Sequence, residues 1–255
     1  MLQIYDTHAH YDDPRFDADR DTVLSGLPDR GIAYVNNIGC DMPTSRASVA
    51  LAEKYPFIYA AVGVHPHEAD SLRQQDLDEL RQMLRHPRVR ALGEIGLDYH
   101  YDNSPRDIQR QAFHLQMELA EETGMPVVIH EREATRDCLE VIRSHRPCRG
   151  VFHCYSGSIE TARELLDRGY FISFTGVITF ANANRVREVV RFIPDDRIMI
   201  ETDCPYLSPV PCRGKRCDSS MLHYTLATLA DIRGITAEQA AQLTMRNSKA
   251  FFAVD

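Results

Sequence analysis

The 255-residue chain has no tryptophan and almost no lysine. Lys54, Lys215 and Lys249 are its only lysines; every other basic side chain is arginine. No apolar run approaches the roughly 18 residues that a membrane span needs. The N-terminus also lacks a basic stretch followed by an apolar one, so no membrane attachment is expected and the chain reads as cytoplasmic. Seven cysteines, an odd number without regular spacing, argue for reduced thiols rather than a disulfide framework. No G-x-G-x-x-G turn follows the first apolar run, which disfavours a doubly wound dinucleotide-binding sheet. Linkers, repeats and low-complexity tracts are missing too, so one domain covering 1–255 is expected. The net charge of −8 opposes broad non-specific binding of polyanions. A polyanionic ligand would have to meet a local positive site or metal ions.

What is present is an alternation sustained along the whole chain. Short apolar, β-branched runs fall at Ile4–His10, Ala33–Cys40, Ile58–Val64, Val89–Ile95, Val127–His130, Gly150–His153, Tyr170–Thr175 and Ile198–Thr202. Helix-like stretches separate them. "PRDIQRQAFHLQMELAEETG" carries Pro105 at its start and Gly124 as its stop, and "SIETARELLDRGY" is ended by Gly169. In the latter, Ile159, Ala162, Leu165 and Leu166 share one helical face. Eight strands alternating with helices over about 250 residues predict a single α/β domain, a (β/α)8 TIM barrel.

In such a barrel, chemistry sits at the carboxyl ends of the strands. "IYDTHAH" places His8 and His10 on one side of the first strand, because residues i and i+2 point the same way. The third run leads into "GVHPH" with His65 and His67, and the fourth carries Glu94 in "ALGEIGLDY". His130 ends the fifth, His153 the sixth, and Asp203 follows the eighth. Buried imidazoles and carboxylates are costly unless paired or bound to metal, so this recurrence predicts a metal centre. Four imidazoles and two carboxylates (His8, His10, His130, His153, Glu94, Asp203) suit zinc, manganese or iron; magnesium alone would favour more oxygen. Six ligands exceed the needs of one catalytic ion. Two divalent ions about 3.5–4 Å apart, bridged by Glu94, account for all of them. No lysine lies at a strand end, which excludes both a carboxylated-lysine bridge and Schiff-base chemistry.

In order, "DTHAH", "GVHPH", "GEIGLDY", "VIHER", "FHCYSG", "ETDCPYL" and "RGKR" resemble the motifs of TatD-type metal-dependent deoxyribonucleases, within the amidohydrolase-like barrel superfamily. The resemblance runs nearly end to end. It implies that His8, His10, Glu94 and Asp203 hold one metal (zinc, manganese or magnesium), that Glu94, His130 and His153 hold the second, and that His65 contacts substrate phosphate. It further implies hydrolysis of DNA phosphodiesters by metal-activated water; the acidic chain with few local positive groups predicts attack on strand ends, and no large exposed apolar stripe demands a protein partner. Glu94 and Asp203 are then the catalytic carboxylates, Asp203 as general base or as ligand only. Substrate phosphates would be met by Arg132 and by Arg213, Lys215 and Arg216 of the loop "SPVPCRGKRCDSS". That loop departs from the family pattern: Cys212 replaces histidine, and Cys217, Asp218 and Ser219 replace asparagine, glutamate and proline. Cys212, Cys217 and Cys204 are expected to be free thiols, a structural metal or disulfide being the alternative. Strand alternation predicts that Cys154 and Cys204 turn toward the helices. Two other readings compete with the nuclease: an amidohydrolase, esterase or lactonase using the same centre, and a non-catalytic metal-containing scaffold.

Overall fold

A computed structural model describes residues 2–146 and 148–254. Eight parallel strands form one sheet in the order β1 to β8: β1 (Ile4–Ala9), β2 (Ile32–Ile38), β3 (Ile58–Val62), β4 (Val89–Asp98), β5 (Val127–Arg132), β6 (Gly150–Phe152), β7 (Phe171–Phe174) and β8 (Ile198–Ile200). Beyond β8 the chain returns to β1, where Asp203 N–H donates to His8 O (2.9 Å) and His10 N–H donates to Cys204 O (2.8 Å). Sequential parallel order with first and last strands joined is the (β/α)8 barrel that the alternation predicts. Among the described residues, no helix is long and apolar enough to cross a membrane.

The chain divides into two compact units, neither continuous in sequence: Met1–Asn37, Cys154–Leu166 and Phe171–Asp255 in one, Ile38–His153 and Asp167–Tyr170 in the other. In the first, β1 is buried along its whole length and α9 (Ala237–Phe252) packs on β1 and β8. Phe251 and Phe252 of α9 are fully buried, and Phe252 stacks on Tyr5 at 5.7 Å between ring centroids. Helix α9 starts at a capping box in which Thr236 and Gln239 exchange side-chain-to-backbone bonds. In the second unit, α4 (Arg106–Thr123) begins just after Pro105 and ends at Gly124, whose φ of 70° takes the left-handed cap that favours glycine. Its buried stripe of Ala112, Phe113, Gln116, Met117, Leu119 and Ala120 packs on β4.

Every strand differs by a few residues from the sequence expectation, and three of these differences bear on the site. Strand β4 runs on to Asp98 instead of stopping at Ile95, because pairing with β5 continues through Asp98 opposite Arg132. Strand β3 stops at Val62; His65 lies past it and caps a short helical turn, its Nδ1 accepting from His67 N–H (3.1 Å). Strand β8 stops at Ile200, since Asp203 is already in the left-handed region at φ 58°. Cys154 is likewise off the strand path, with φ 45°, so alternation does not set its direction. Its Sγ lies 3.6 Å from Thr175 Oγ1.

Candidate metal centre

The first unit gathers His8, His10 and Asp203. The two Nε2 atoms are 3.1 Å apart with the rings nearly perpendicular. Asp203 Oδ1 lies 3.7 Å from His8 Nε2 and 3.4 Å from His10 Nε2. The backbone bonds from Asp203 N–H to His8 O and from Tyr206 N–H to Asp203 O (2.9 Å each) hold the carboxylate there. Aspartate is one of the few side chains that tolerates the left-handed conformation this requires. Behind the histidines, the fully buried Asp6 accepts from Thr202 Oγ1 (2.6 Å), Thr202 N–H (2.9 Å) and Ser219 Oγ (2.6 Å). Burial pushes the Asp6 carboxyl up to about 6 against the opposing pull of those bonds. Ser219 also accepts from Tyr11 O–H (2.7 Å), so the departing residues of the loop are anchored beside β1. Cys204 and Cys217 are buried, and burial raises both thiols well above their ordinary range.

The second unit gathers His65, Glu94, His130 and His153. Glu94, only 3% exposed, places Oε1 2.7 Å from His153 Nε2, 2.8 Å from His130 Nδ1 and 3.5 Å from His65 Nε2. Strands β4 and β5 approach closely where Gly96 faces His130: with φ +140°, a Cβ there would lie 2.0 Å from His130 O. Ligand atoms of His65, Glu94 and His130 all fall within 4.8 Å of one another. The imidazole nitrogens of His130 and His153 beside one buried carboxylate oxygen are donors of the kind that zinc and similar divalent ions take up. The residues therefore fit the metal.

Two carboxylates escaped the sequence reading. Asp98, fully buried, accepts at Oδ2 from His130 Nε2 (3.1 Å) and His67 Nε2 (3.0 Å). Burial opposes its ionisation, but the bonds from His130, Tyr101 and His67 outweigh it and hold the carboxyl below its usual range. For His130 burial disfavours the charged ring, but its bonds to Asp98 and Glu94 and the Glu94 charge overcome this and raise the imidazole. Glu201, also buried, accepts from Cys154 N–H (2.5 Å) and Thr7 Oγ1 (3.2 Å). Both follow a predicted ligand or precede one within a few residues, which is the only signal the sequence carries.

His65 behaves oppositely to His130: burial lowers its pKa to about 4, despite Glu94 nearby. The folded protein thus keeps His65 neutral where the unfolded chain protonates it. Stability from this neutral imidazole is complete above pH 6.5 and is lost progressively as pH falls toward 4. At about 1.4 kcal/mol per pH unit, the full span corresponds to about 3 kcal/mol. Urea unfolding of metal-stripped protein from pH 7 to pH 4.5 should therefore show a shallower acid loss for His65→Gln than for wild type. Parallel slopes would contradict this.

The predicted phosphate contacts are less uniform. Arg132 closes β5 and stands over Tyr101, 4.8 Å from the ring centroid. Arg213 lies over Phe180 at 4.0 Å, and both Arg213 and Lys215 are exposed. Arg216 makes a two-pronged pair with Asp19 (2.7 and 2.8 Å) and covers Phe16 at 4.4 Å. Its charge is already engaged.

A parallel barrel carrying clustered histidines and carboxylates at the carboxyl ends of its strands defines the class of metal-dependent hydrolases. The comparisons narrow it. The family described as TatD related DNase matches residues 5–253. The chain is 39% identical over 254 residues to the uncharacterized metal-dependent hydrolase YabD of Bacillus subtilis (strain 168), covering 99% of this chain and 100% of that one. It is 34% identical over 257 residues to YcfH of Escherichia coli (strain K12), also an uncharacterized metal-dependent hydrolase, covering 99% and 96%. The crystal structure of YJJV, a TatD homolog from E. coli K12, superposes with a TM-score of 0.92 at 29% identity, covering 99% and 98%. The chain belongs to the TatD family and is a metal-dependent hydrolase of it.

Proposed function

We propose that this chain is a deoxyribonuclease that removes nucleotides from DNA ends and that it uses two divalent ions, one that His8, His10 and Asp203 would hold and one that Glu94, His130 and His153 would hold. The observation that carries the hydrolytic reading is Glu94 Oε1 ringed by His153, His130 and His65. The choice of DNA is supported by the family description and by the exposed Arg213 and Lys215 on an otherwise acidic chain.

Divalent ions, when bound, supply positive charge to the phosphoryl oxygens and make water acidic enough to attack near neutral pH. Among the chain's own groups, Asp203 takes the proton from the attacking water as its oxygen bonds to phosphorus and the phosphorus–sugar oxygen bond breaks. His65 has Nδ1 occupied by His67 N–H, which leaves the proton of the neutral ring on Nε2, a donor for a phosphoryl oxygen. Arg213, Lys215 and Arg132 orient the flanking phosphates. Local charge of this kind can hold a polyanion on a protein of net charge −8. Seven cysteines, none in a disulfide among the described residues, suit a reducing cytoplasm.

The test is cleavage of 3′- and 5′-labelled single-stranded DNA by metal-stripped protein, with magnesium, manganese or zinc restored separately. Shortening from one end is expected. Faster turnover of esters, lactones or cyclic amides would move the enzyme to carbonyl substrates. Replacing Arg213 and Lys215 together by alanine should raise KM for DNA about tenfold and leave kcat within about twofold, because peripheral phosphate contacts bind substrate and transition state alike. The slope of log KM against log salt should flatten by about one to two. An unchanged slope would exclude the loop from DNA contact.

A further inference from the structure

Asp98 is held more firmly than a loop carboxylate needs to be. Its Oδ1 accepts from the N–H groups of His100 and Tyr101, both at 2.9 Å. Its own N–H donates to Gln109 Oε1 (2.9 Å), and Gln109 Nε2 donates back to Asp98 O (3.1 Å). The remaining oxygen, Oδ2, therefore has a set direction, and two imidazoles converge on it: His130 Nε2 at 3.1 Å and His67 Nε2 at 3.0 Å. Those two rings lie 6.3 Å apart between centroids, with His65 between them at 4.3 Å from His67 and 4.5 Å from His130.

We propose that Asp98 is a positioning residue that locks His130 and His67 as a pair, keeping the proton of His130 on Nε2 so that Nδ1 faces Glu94. An imidazole with one nitrogen committed to a carboxylate presents its other lone pair in a fixed direction and with greater donor strength. Among the described residues, Asp98 is the one partner that bonds the Nε2 side, while Nδ1 lies 2.8 Å from Glu94 Oε1. His67, a quarter exposed, is held through the same oxygen and carries the arrangement outward to the edge of Tyr101 at 5.4 Å. The inference rests on the metal-centre reading above but not on the choice of DNA.

The experiment uses cobalt(II) as a probe of affinity and geometry in the full-length protein, without reference to turnover. Asp98→Asn should weaken cobalt binding about 10- to 100-fold and alter its visible absorption, because the amide cannot serve both imidazoles and both backbone N–H groups as acceptor. His67→Ala should keep the wild-type spectrum and weaken binding by a smaller factor. Metal-stripped Asp98→Asn is compared with wild type by thermal melting, so that lost stability with an unchanged spectrum and affinity identifies a merely structural role and overturns the proposal. In zinc-loaded wild type, ¹⁵N imidazole spectra should show His130, assigned by its loss in His130→Gln, protonated at Nε2. This measurement decides the matter even if Asp98→Asn does not fold; protonation at Nδ1 would refute the inference. Wild type that takes up no cobalt would sink the metal-centre reading itself. Uptake weakened by His130→Gln but untouched by Asp98→Asn would sink only the role of Asp98.

Discussion

Glu94→Gln is expected to abolish metal-dependent hydrolysis, with turnover falling at least about a thousandfold. The change is nearly isosteric, so the side chain still fits its 3%-exposed place. What it removes is the charge on which His153, His130 and His65 converge. An amide offers a neutral oxygen in place of the anionic one. Divalent ions then lose their central anionic ligand, and the imidazoles alone do not replace its charge. The consequence is visible without substrate. Ions at a hundred times their dissociation constant stabilise a folded protein by about 2.7 kcal/mol, worth about 5–10 °C in melting temperature for a chain of this size. Wild type should show that rise on addition of zinc or manganese, and Glu94→Gln should show almost none. A variant that melts higher with metal and still cleaves would remove Glu94 from the centre.

The parts of this molecule that were legible in the sequence are those governed by local rules. Alternating apolar and amphipathic runs give the strand and helix order, and Pro105 and Gly124 bracket α4 because their backbone preferences act alone. The ligand histidines stand out for a similar reason: each is a polar residue placed where an apolar run stops. Asp98 did not stand out. It ends a strand that continues three residues past the apparent stop at Ile95, and that continuation comes from pairing with β5, which no local pattern reveals. The bond between Ser219 and Asp6 spans 213 residues, so no local pattern shows that Ser219 helps to anchor the altered loop. Cys154 shows the reverse error. Alternation was carried one residue beyond the strand, into a backbone at φ 45° where it does not hold. Local chemistry thus named the candidate ligands, while tertiary pairing brings up Asp98 and Ser219 beside them.

The sharpest test of what the centre does is Asp203→Asn. Its carboxylate lies 3.4 Å from His10 Nε2 and 3.7 Å from His8 Nε2, and stays 17% exposed, enough to face water. The backbone at φ 58° suits asparagine as well as aspartate, so the variant should fold with the loop in place. If Asp203 removes the proton from the attacking water, the amide cannot, and kcat should fall about 10²- to 10⁴-fold with KM little changed. A residue acting only as a ligand would instead release metal, and excess zinc or manganese would restore much of the lost rate. We expect the first pattern: metal retained by the remaining ligands, and a rate that added metal does not rescue. The same variant should lose the acid limb of the pH–rate profile, because the group whose deprotonation that limb would report is gone. Recovery of the wild-type rate at high metal would reassign the proton acceptor and leave Asp203 as a ligand alone.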